Sequence, residues 1–113
     1  MRFQTPLLLL CFLLFNIATA IISGWTPIKD VNNPHTREIG QYAVEEHGRL
    51  TGENLWFDQI LSGDTQVVAG INYRLVILAN EVVGAAAKKY EAVVWVKAWE
   101  GFRNLTSFKP TNG

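Results

Sequence analysis

Cysteine and histidine, on which many catalytic and metal sites depend, are scarce in this chain of 113 residues. The chain has one cysteine, Cys11, and two histidines, His35 and His47. The histidines do not have the spacing of an H-E-x-x-H metal motif, so structural roles are expected for both. Since no set of acid, base and nucleophile is visible, we predict a protein that is not an enzyme and needs neither metal nor cofactor.

The chain also has no excess of charge of either sign. Its 10 basic and 10 acidic residues give a formal net charge of +0. A near-neutral chain offers no electrostatic footprint for nucleic acid or for an anionic membrane, so no nucleic-acid partner is predicted. The length fits one small domain and excludes a multidomain enzyme.

Hydrophobic residues make up 49% of the chain, and its first 20 positions are especially rich in them. Arg2 precedes an apolar run over residues 7–17, and Ala18-Thr19-Ala20 has the small-x-small form that signal peptidase requires. The run is too short for a comfortable transmembrane span. We therefore predict a signal peptide at residues 1–20 and a secreted mature domain at 21–113, without cysteine and without a membrane segment. An uncleaved anchor is the alternative.

The first part of the mature region predicts an arm, a short strand and one helix. Residues 21–32 hold the arm and the strand. Asn33 can cap a helix, Pro34 tolerates its first position, and Gly48 and Gly52 mark its end. Apolar residues recur at helical spacing between these limits and predict a buried stripe. The stripe comprises Ile39, Tyr42, Ala43, His47 and Leu50, opposite Arg37, Gln41 and Glu45.

Strand-like segments follow the helix. They cover residues 55–61, 73–79, 90–99 and 102–108, with Gly63-Asp64, Ala69-Gly70, residues 80–89 and Glu100-Gly101 as the connections. A single helix followed by strands in hairpins predicts an α+β fold, in which one amphipathic helix packs on an antiparallel sheet of four to five strands.

Two predicted turns carry apolar residues where polar ones are the rule. Gln66-Val67-Val68-Ala69-Gly70 lies at the first hairpin, and Trp99 lies at the next. The valines either extend the strands or form a rigid contact loop for a groove. Trp99 either folds under the sheet or serves as an exposed binding anchor. Trp56 and Trp95, inside strands, are expected in the core or on a sheet face.

These two turns should lie at the same end of the sheet, because alternate turns of an antiparallel sheet share an end. If the first strand precedes the helix, the short apolar arm with Ile21, Ile22 and Gly24 reaches that end too. Three apolar projections without a catalytic group suit a wedge that enters a cleft.

Several segments follow a known family pattern in order along the chain. Residues 66–70 have the complete sequence Q-x-V-x-G, residues 24–28 read Gly24-Trp25-x-Pro27-Ile28, and residues 39–44 are similar to the helix signature Leu-Ala-Arg-Phe-Ala-Val. Residues 90–97 and 104–108 resemble the last two strands of the same family. In these segments the chain resembles the plant cystatins, a family of secreted inhibitors of papain-like cysteine proteases. The similarity covers essentially residues 23 to 110.

The resemblance implies a curved sheet around one helix and reversible, competitive inhibition without a covalent step. It identifies residues 21–113 as a cystatin domain whose arm and two hairpin loops enter the active-site cleft. The expected targets are papain-like cysteine proteases of the plant itself or of pests and pathogens. The implied protease-binding residues are Gly24, Gln66, Val67, Val68, Ala69, Gly70, Ala98 and Trp99. Among these, Gln66 is expected to shape its loop rather than touch the catalytic thiol.

Two positions depart from the family pattern. Ala98 replaces the proline of the second-loop Pro-Trp, and Ser23 replaces the first glycine of an N-terminal Gly-Gly. Losing a preorganising proline predicts binding weaker by ~0.4–1 kcal/mol. The departures leave open an alternative function, a non-inhibitory ligand- or protein-binding module on the same fold.

Two further expectations concern modification and assembly. Asn104-Leu105-Thr106 is a glycosylation sequon in a chain predicted to be secreted, so Asn104 is a candidate glycosylation site. The expected form is a monomer. The loop at 66–70 is also a candidate hinge for a domain-swapped dimer, which would bury the loop and lose inhibition.

Overall fold

The computed structural model describes residues 24–82 and 84–112, so the predicted signal peptide lies outside the described part. Within it, five strands and one α-helix occur in the order β1 (Trp25–Pro27), α1 (Pro34–Thr51), β2 (Trp56–Val68), β3 (Gly70–Asn80), β4 (Lys88–Lys97) and β5 (Phe102–Pro110), with a 3-10 turn (Ala98–Glu100) before β5. The strands form one sheet in sequence order, and every neighbouring pair is antiparallel. The predicted α+β class is confirmed, with five strands.

Local sequence signals set both ends of α1. The side-chain oxygen of Asn33 accepts a hydrogen bond of 2.9 Å from the backbone N–H of Thr36, and Pro34 occupies the first turn. Gly52 adopts a φ of 79° and donates its N–H to the carbonyl of Gly48 at 2.8 Å. These are the N-cap and left-handed C-cap that the sequence predicted.

The core lies between α1 and one face of the sheet. Alternate residues of β3 and β4 point at the helix, among them Leu75, Ile77, Ala92 and Val94. The predicted helix stripe is wrong in two places, because Val44 is buried whereas Leu50 is 59% exposed. Leu50 belongs to the last turn of α1, beside the outermost strand β5, where no further strand covers it.

Both histidines contact aromatic side chains at the border of the core. His47 stacks on Phe108 with ring centroids 4.0 Å apart. His35 Nε2 lies 3.2 Å from the hydroxyl oxygen of Tyr73. Burial raises the pKa of Tyr73, so this hydroxyl keeps its proton at neutral pH.

In the residues that the structure describes, no helix is long and apolar enough to cross a membrane.

The prediction of a connection at Gly63-Asp64 is wrong, because β2 runs through both residues. Asp64 pairs with Arg74 in the ladder to β3. A Cβ on Gly63 would lie 2.7 Å from Leu75 Cδ2 and 3.0 Å from Ile28 Cδ1. Glycine here permits a close side-chain approach within a strand and does not mark a turn.

Gly40 permits the close approach of α1 to β2. A Cβ at this position would lie 2.9 Å from Ile60 Cδ1 and 3.0 Å from Phe57 Cε1. This contact explains a glycine in a helix interior, where it costs ~0.5–1 kcal/mol relative to alanine.

We predict that Gly40→Ala destabilises the fold. The gain in helix propensity is smaller than the ~1–3 kcal/mol cost of overpacking, so the free energy of unfolding should fall by about 1 kcal/mol in urea denaturation. Gln41→Ala, at the exposed neighbouring position, is the control and should change stability by less than ~0.5 kcal/mol. A more stable Gly40→Ala protein would contradict the close-packing explanation.

Candidate functional site

Three segments of the chain meet at one end of the sheet, as the sequence predicted, although Ile21, Ile22 and Ser23 of the predicted arm lie outside the described residues. Trp25 pairs with Gln66, which places Gly24 across from Val67. Ile71 pairs with Val96, which places the β2–β3 turn beside the start of the β4–β5 turn. We name this region the hairpin end and define it as Gly24, residues 66–71, Ala98 and Trp99.

The hairpin end exposes large apolar side chains. Val67 is 52% exposed, Val68 40%, Ile71 38% and Trp99 67%. The helix does not reach them, because His35, near the start of α1, already lies against Tyr73. The strand residues before Tyr73 therefore project beyond the cover that α1 provides.

The first apolar turn combines the two interpretations given above, because its valines extend the strands and also form an exposed loop. Val67 and Val68 are strand residues that pair with Ile71 and Gly70, and they are nevertheless exposed. Only Ala69 lies between the strands. The result is an apolar loop held rigid by ladder pairing almost to its tip.

Gly70 makes this tight turn feasible. Its φ is 97°, and a Cβ there would lie 2.2 Å from the carbonyl oxygen of Val96. A side chain would meet both a strained backbone angle and the backbone of β4.

We predict that Gly70→Ala opens the turn and lowers the free energy of unfolding by at least about 2 kcal/mol. Gly101→Ala is the matched control, because Gly101 also has a positive φ of 63° but no atom within 4 Å of the added Cβ. The control should lose about 1 kcal/mol, the cost of the backbone angle alone. Equal losses in chemical denaturation would contradict a steric role for the Val96 carbonyl.

The second hairpin turn presents Trp99 to solvent. Ala98–Glu100 forms a single 3-10 turn, closed by the N–H of Gly101, which donates to the Ala98 carbonyl at 3.1 Å. Trp99 stands out from this turn. The alternative in which it folds under the sheet is therefore wrong.

Trp56 and Trp95, which the sequence predicted to lie inside strands, differ from each other. Trp56, expected in the core or on a sheet face, is 52% exposed at the start of β2, far from the hairpin end. Trp95 lies half-buried on the sheet face opposite α1 and donates its indole N–H to the carbonyl of Ala69 at 2.7 Å.

Sequence reasoning missed Ile71 and the contact of Trp95 with the first loop. Ile71 directly follows the glycine of the turn and could have been found from hairpin pairing, because a tight hairpin pairs it with Val67. The Trp95 contact depends on the register of three strands and has no local signal. Gln66 accepts a hydrogen bond of 3.3 Å from Asn72 Nδ2, in keeping with a role in shaping the loop.

Charged groups near the hairpin end are paired and lie behind its apolar tips. Lys97 Nζ lies 3.7 Å from Glu100 Oε2. Arg74 contacts Asp64 at 3.2 Å and places its guanidinium 4.2 Å from the centroid of the Trp25 ring. The hairpin end itself carries no nucleophile and no acid–base pair, so it can bind but offers no means of catalysis.

Comparison with known proteins identifies a matching family model and similar proteins. Residues 28–111 match the family model described as SQAPI, aspartic acid proteinase inhibitor. The chain is 48% identical to cysteine proteinase inhibitor 5 of Arabidopsis thaliana over 99 residues, which cover 88% of this chain and 80% of that protein. It is 44% identical to cysteine proteinase inhibitor 8 of Oryza sativa subsp. japonica over 118 residues, which cover 95% of each.

Solved structures agree on the fold. The salivary cystatin of the soft tick Ornithodoros moubata superposes with a TM-score of 0.66 at 22% identity, over 80% of this chain and 98% of that one. The squash aspartic acid proteinase inhibitor superposes with a TM-score of 0.62 at 26% identity, over 77% of this chain and 92% of that one.

The family model and the relatives name different proteinase classes, but both name inhibitors. The cystatin-like sheet, the Q-x-V-x-G turn and the identity over most of the chain agree with one another. The chain belongs to the plant cysteine proteinase inhibitors, the phytocystatins, and is a proteinase inhibitor rather than an enzyme.

Proposed function

We propose that this chain inhibits papain-like cysteine endopeptidases by inserting its hairpin end into their active-site cleft. The observation that carries the proposal is the convergence of exposed apolar side chains from separate segments at one end of a rigid sheet. A row of such projections fits an elongated groove. The names of the relatives supply the proteinase class.

Val67, Val68 and Trp99 supply most of the proposed contact area, and Gly24 is the hinge of the arm. Trp99 is the anchor, because tryptophan offers a large rigid surface with few torsions to immobilise. Gln66 shapes the first loop through its hydrogen bond with Asn72 and does not supply contact area itself. Inhibition is reversible and competitive because this surface forms no covalent bond and occupies the substrate groove.

A second candidate target class is the aspartic proteinases, which the description of the matching family model favours. The Q-x-V-x-G sequence and the relatives' names favour the cysteine class. The two target classes give different results with one panel of enzymes.

We predict micromolar or tighter competitive inhibition of papain and no inhibition of pepsin. Val67→Asp should weaken inhibition by roughly 100-fold, since a charge enters an apolar contact. Trp99→Ala should weaken it by roughly 30-fold, or about 2 kcal/mol. Inhibition constants are measured with fluorogenic substrates.

Matched control variants lie at the other end of the molecule. Val82 is 65% and Trp56 is 52% exposed, and β2 separates Trp56 from Val67 by about 35 Å at ~3.3 Å per residue. Val82→Asp and Trp56→Ala should leave inhibition unchanged. Inhibition of pepsin alone would assign the aspartic class, and inhibition of neither enzyme would contradict both proposed target classes.

The active form in this proposal is a monomer. Only Ala69 separates β2 from β3, so opening the turn would join them into one strand and exchange β1, α1 and β2 between two chains. Val67 and Val68 would then lie inside the dimer. Size-exclusion chromatography should therefore place papain inhibition in the monomer fraction alone.

We further propose that the chain is secreted and is N-glycosylated at Asn104. Residues 1–20 have the pattern of a signal peptide. Asn104 is exposed on β5, the outermost strand, and pairs with Trp95 in the ladder. A glycan there would extend into solvent from the sheet face opposite α1.

Expression of the full chain in a secreting eukaryotic host tests both points. The secreted protein should begin near Ile21, and its mass should fall on treatment with an N-glycosidase. Asn104→Gln should abolish that mass shift, whereas Asn32→Gln, at an exposed asparagine outside any sequon, should not. A retained leader contradicts secretion, and an unmodified secreted protein contradicts glycosylation.

A further inference from the structure

We propose that Trp95 is a positioning residue that holds both loops of the hairpin end in their binding arrangement. The inference rests on the proposed function and deepens it, because it assigns the preorganisation of the loops to one side chain. Trp95 lies outside the hairpin end, in β4, which pairs with β3 after the first loop and with β5 after the second.

The first contact is the hydrogen bond from Trp95 Nε1 to the carbonyl of Ala69, at 2.7 Å. Ala69 lies between β2 and β3 and has no partner in their register. The indole N–H therefore fixes the tip of the first loop, where ladder pairing ends. Among aromatic side chains of this size, only tryptophan combines a large ring with a ring N–H donor.

The second contact is aromatic and cationic. The Trp95 ring meets Phe102 edge to face, with centroids 5.4 Å apart. Lys97 Nζ lies 4.5 Å from the centroid of Trp95 and 5.0 Å from that of Phe102. Because Lys97 and Phe102 flank the 3-10 turn on either side, these contacts fix the base of the loop that carries Trp99.

Trp95 thus connects two loops that are not neighbours in sequence. The cost of ordering a loop on binding is avoided when the loop is already ordered in the free protein. The second loop has Ala98 at its first position, where proline would fix φ near −65°. The contacts of Trp95 supply rigidity that the backbone of this loop lacks.

A purely structural role for Trp95 predicts different behaviour. Trp95 is half-buried on the face opposite α1 and does not belong to the buried core cluster. Its indole N–H can therefore be removed without opening a cavity between the helix and the sheet. Removal of the indole N–H should therefore reduce the order of the first loop while α1 stays ordered.

The test uses Trp95→Phe, which keeps an aromatic ring and removes the N–H donor. We expect inhibition of papain to weaken by about tenfold, the effect of one hydrogen bond. NMR order parameters of the backbone amides of residues 68–71 should fall, while those of α1 stay the same and the unfolding midpoint decreases only slightly, by the loss of that one hydrogen bond. Trp56→Phe, at the far end, is the matched control and should change none of these quantities.

A double-mutant comparison tests the link to Ala98. Ala98→Pro should tighten inhibition more in a Trp95→Ala background than in the wild-type protein, because Trp95→Ala also removes the ring contacts with Phe102 and Lys97 that fix the second loop. Equal effects in the two backgrounds would contradict the proposal.

Two further results would overturn the proposal: unchanged order of the loop amides in Trp95→Phe, or a loss of order that extends over α1. The order parameters are independent of any enzyme. A wild-type protein that fails to inhibit papain would therefore refute the proposed function, while the loop amides still decide the role of Trp95.

Discussion

The register of β2 against β3 is the constraint on which the rest of the molecule depends. The ladder runs from Trp56 opposite Asn80 to Val68 opposite Gly70. A slip of one residue would turn every side chain to the other face and would remove Ile60 from the core. The close contacts at Gly70 permit one geometry at the turn, and the same geometry sends the apolar tip beyond the helix.

The fold separates the packed core from the hairpin end, which is the proposed binding surface. Core residues of β3 and β4 lie under α1, whereas the same strands continue past the start of the helix. Val67, Val68 and Trp99 keep 40–67% of their surface exposed at that end, so part of their free energy of burial remains available for a partner. Ladder pairing keeps the loop rigid although its apolar side chains have no packing of their own.

Features fixed by local chemistry could be predicted from the sequence. The cap at Asn33, the left-handed end at Gly52 and the order of the strands all follow from residue type and spacing. Features set by contacts between distant parts of the chain could not be predicted from the sequence. Gly63 resembles a turn residue, yet its place in β2 depends on Leu75 and Ile28 crowding its Cα. The exposure of Leu50 depends on β5 being the last strand.

The site shows the same division at a finer scale. The residues at the tips are visible in the sequence because apolar side chains in turns break a compositional rule. The residues that hold the tips follow the ordinary composition of strands. Trp95 has the sequence context of any aromatic strand residue, and its contacts with Ala69 and Phe102 become visible only when the neighbouring strands are aligned. A fold of this kind accommodates inhibitors of more than one proteinase class, so the fold alone does not select the target. In the proposed function, selection comes from the tip residues and from the side chains that hold them. Because Ala98 constrains the backbone of the second loop less than proline would, the side chains beneath that loop determine how much of the proposed binding surface is ordered before a protease binds.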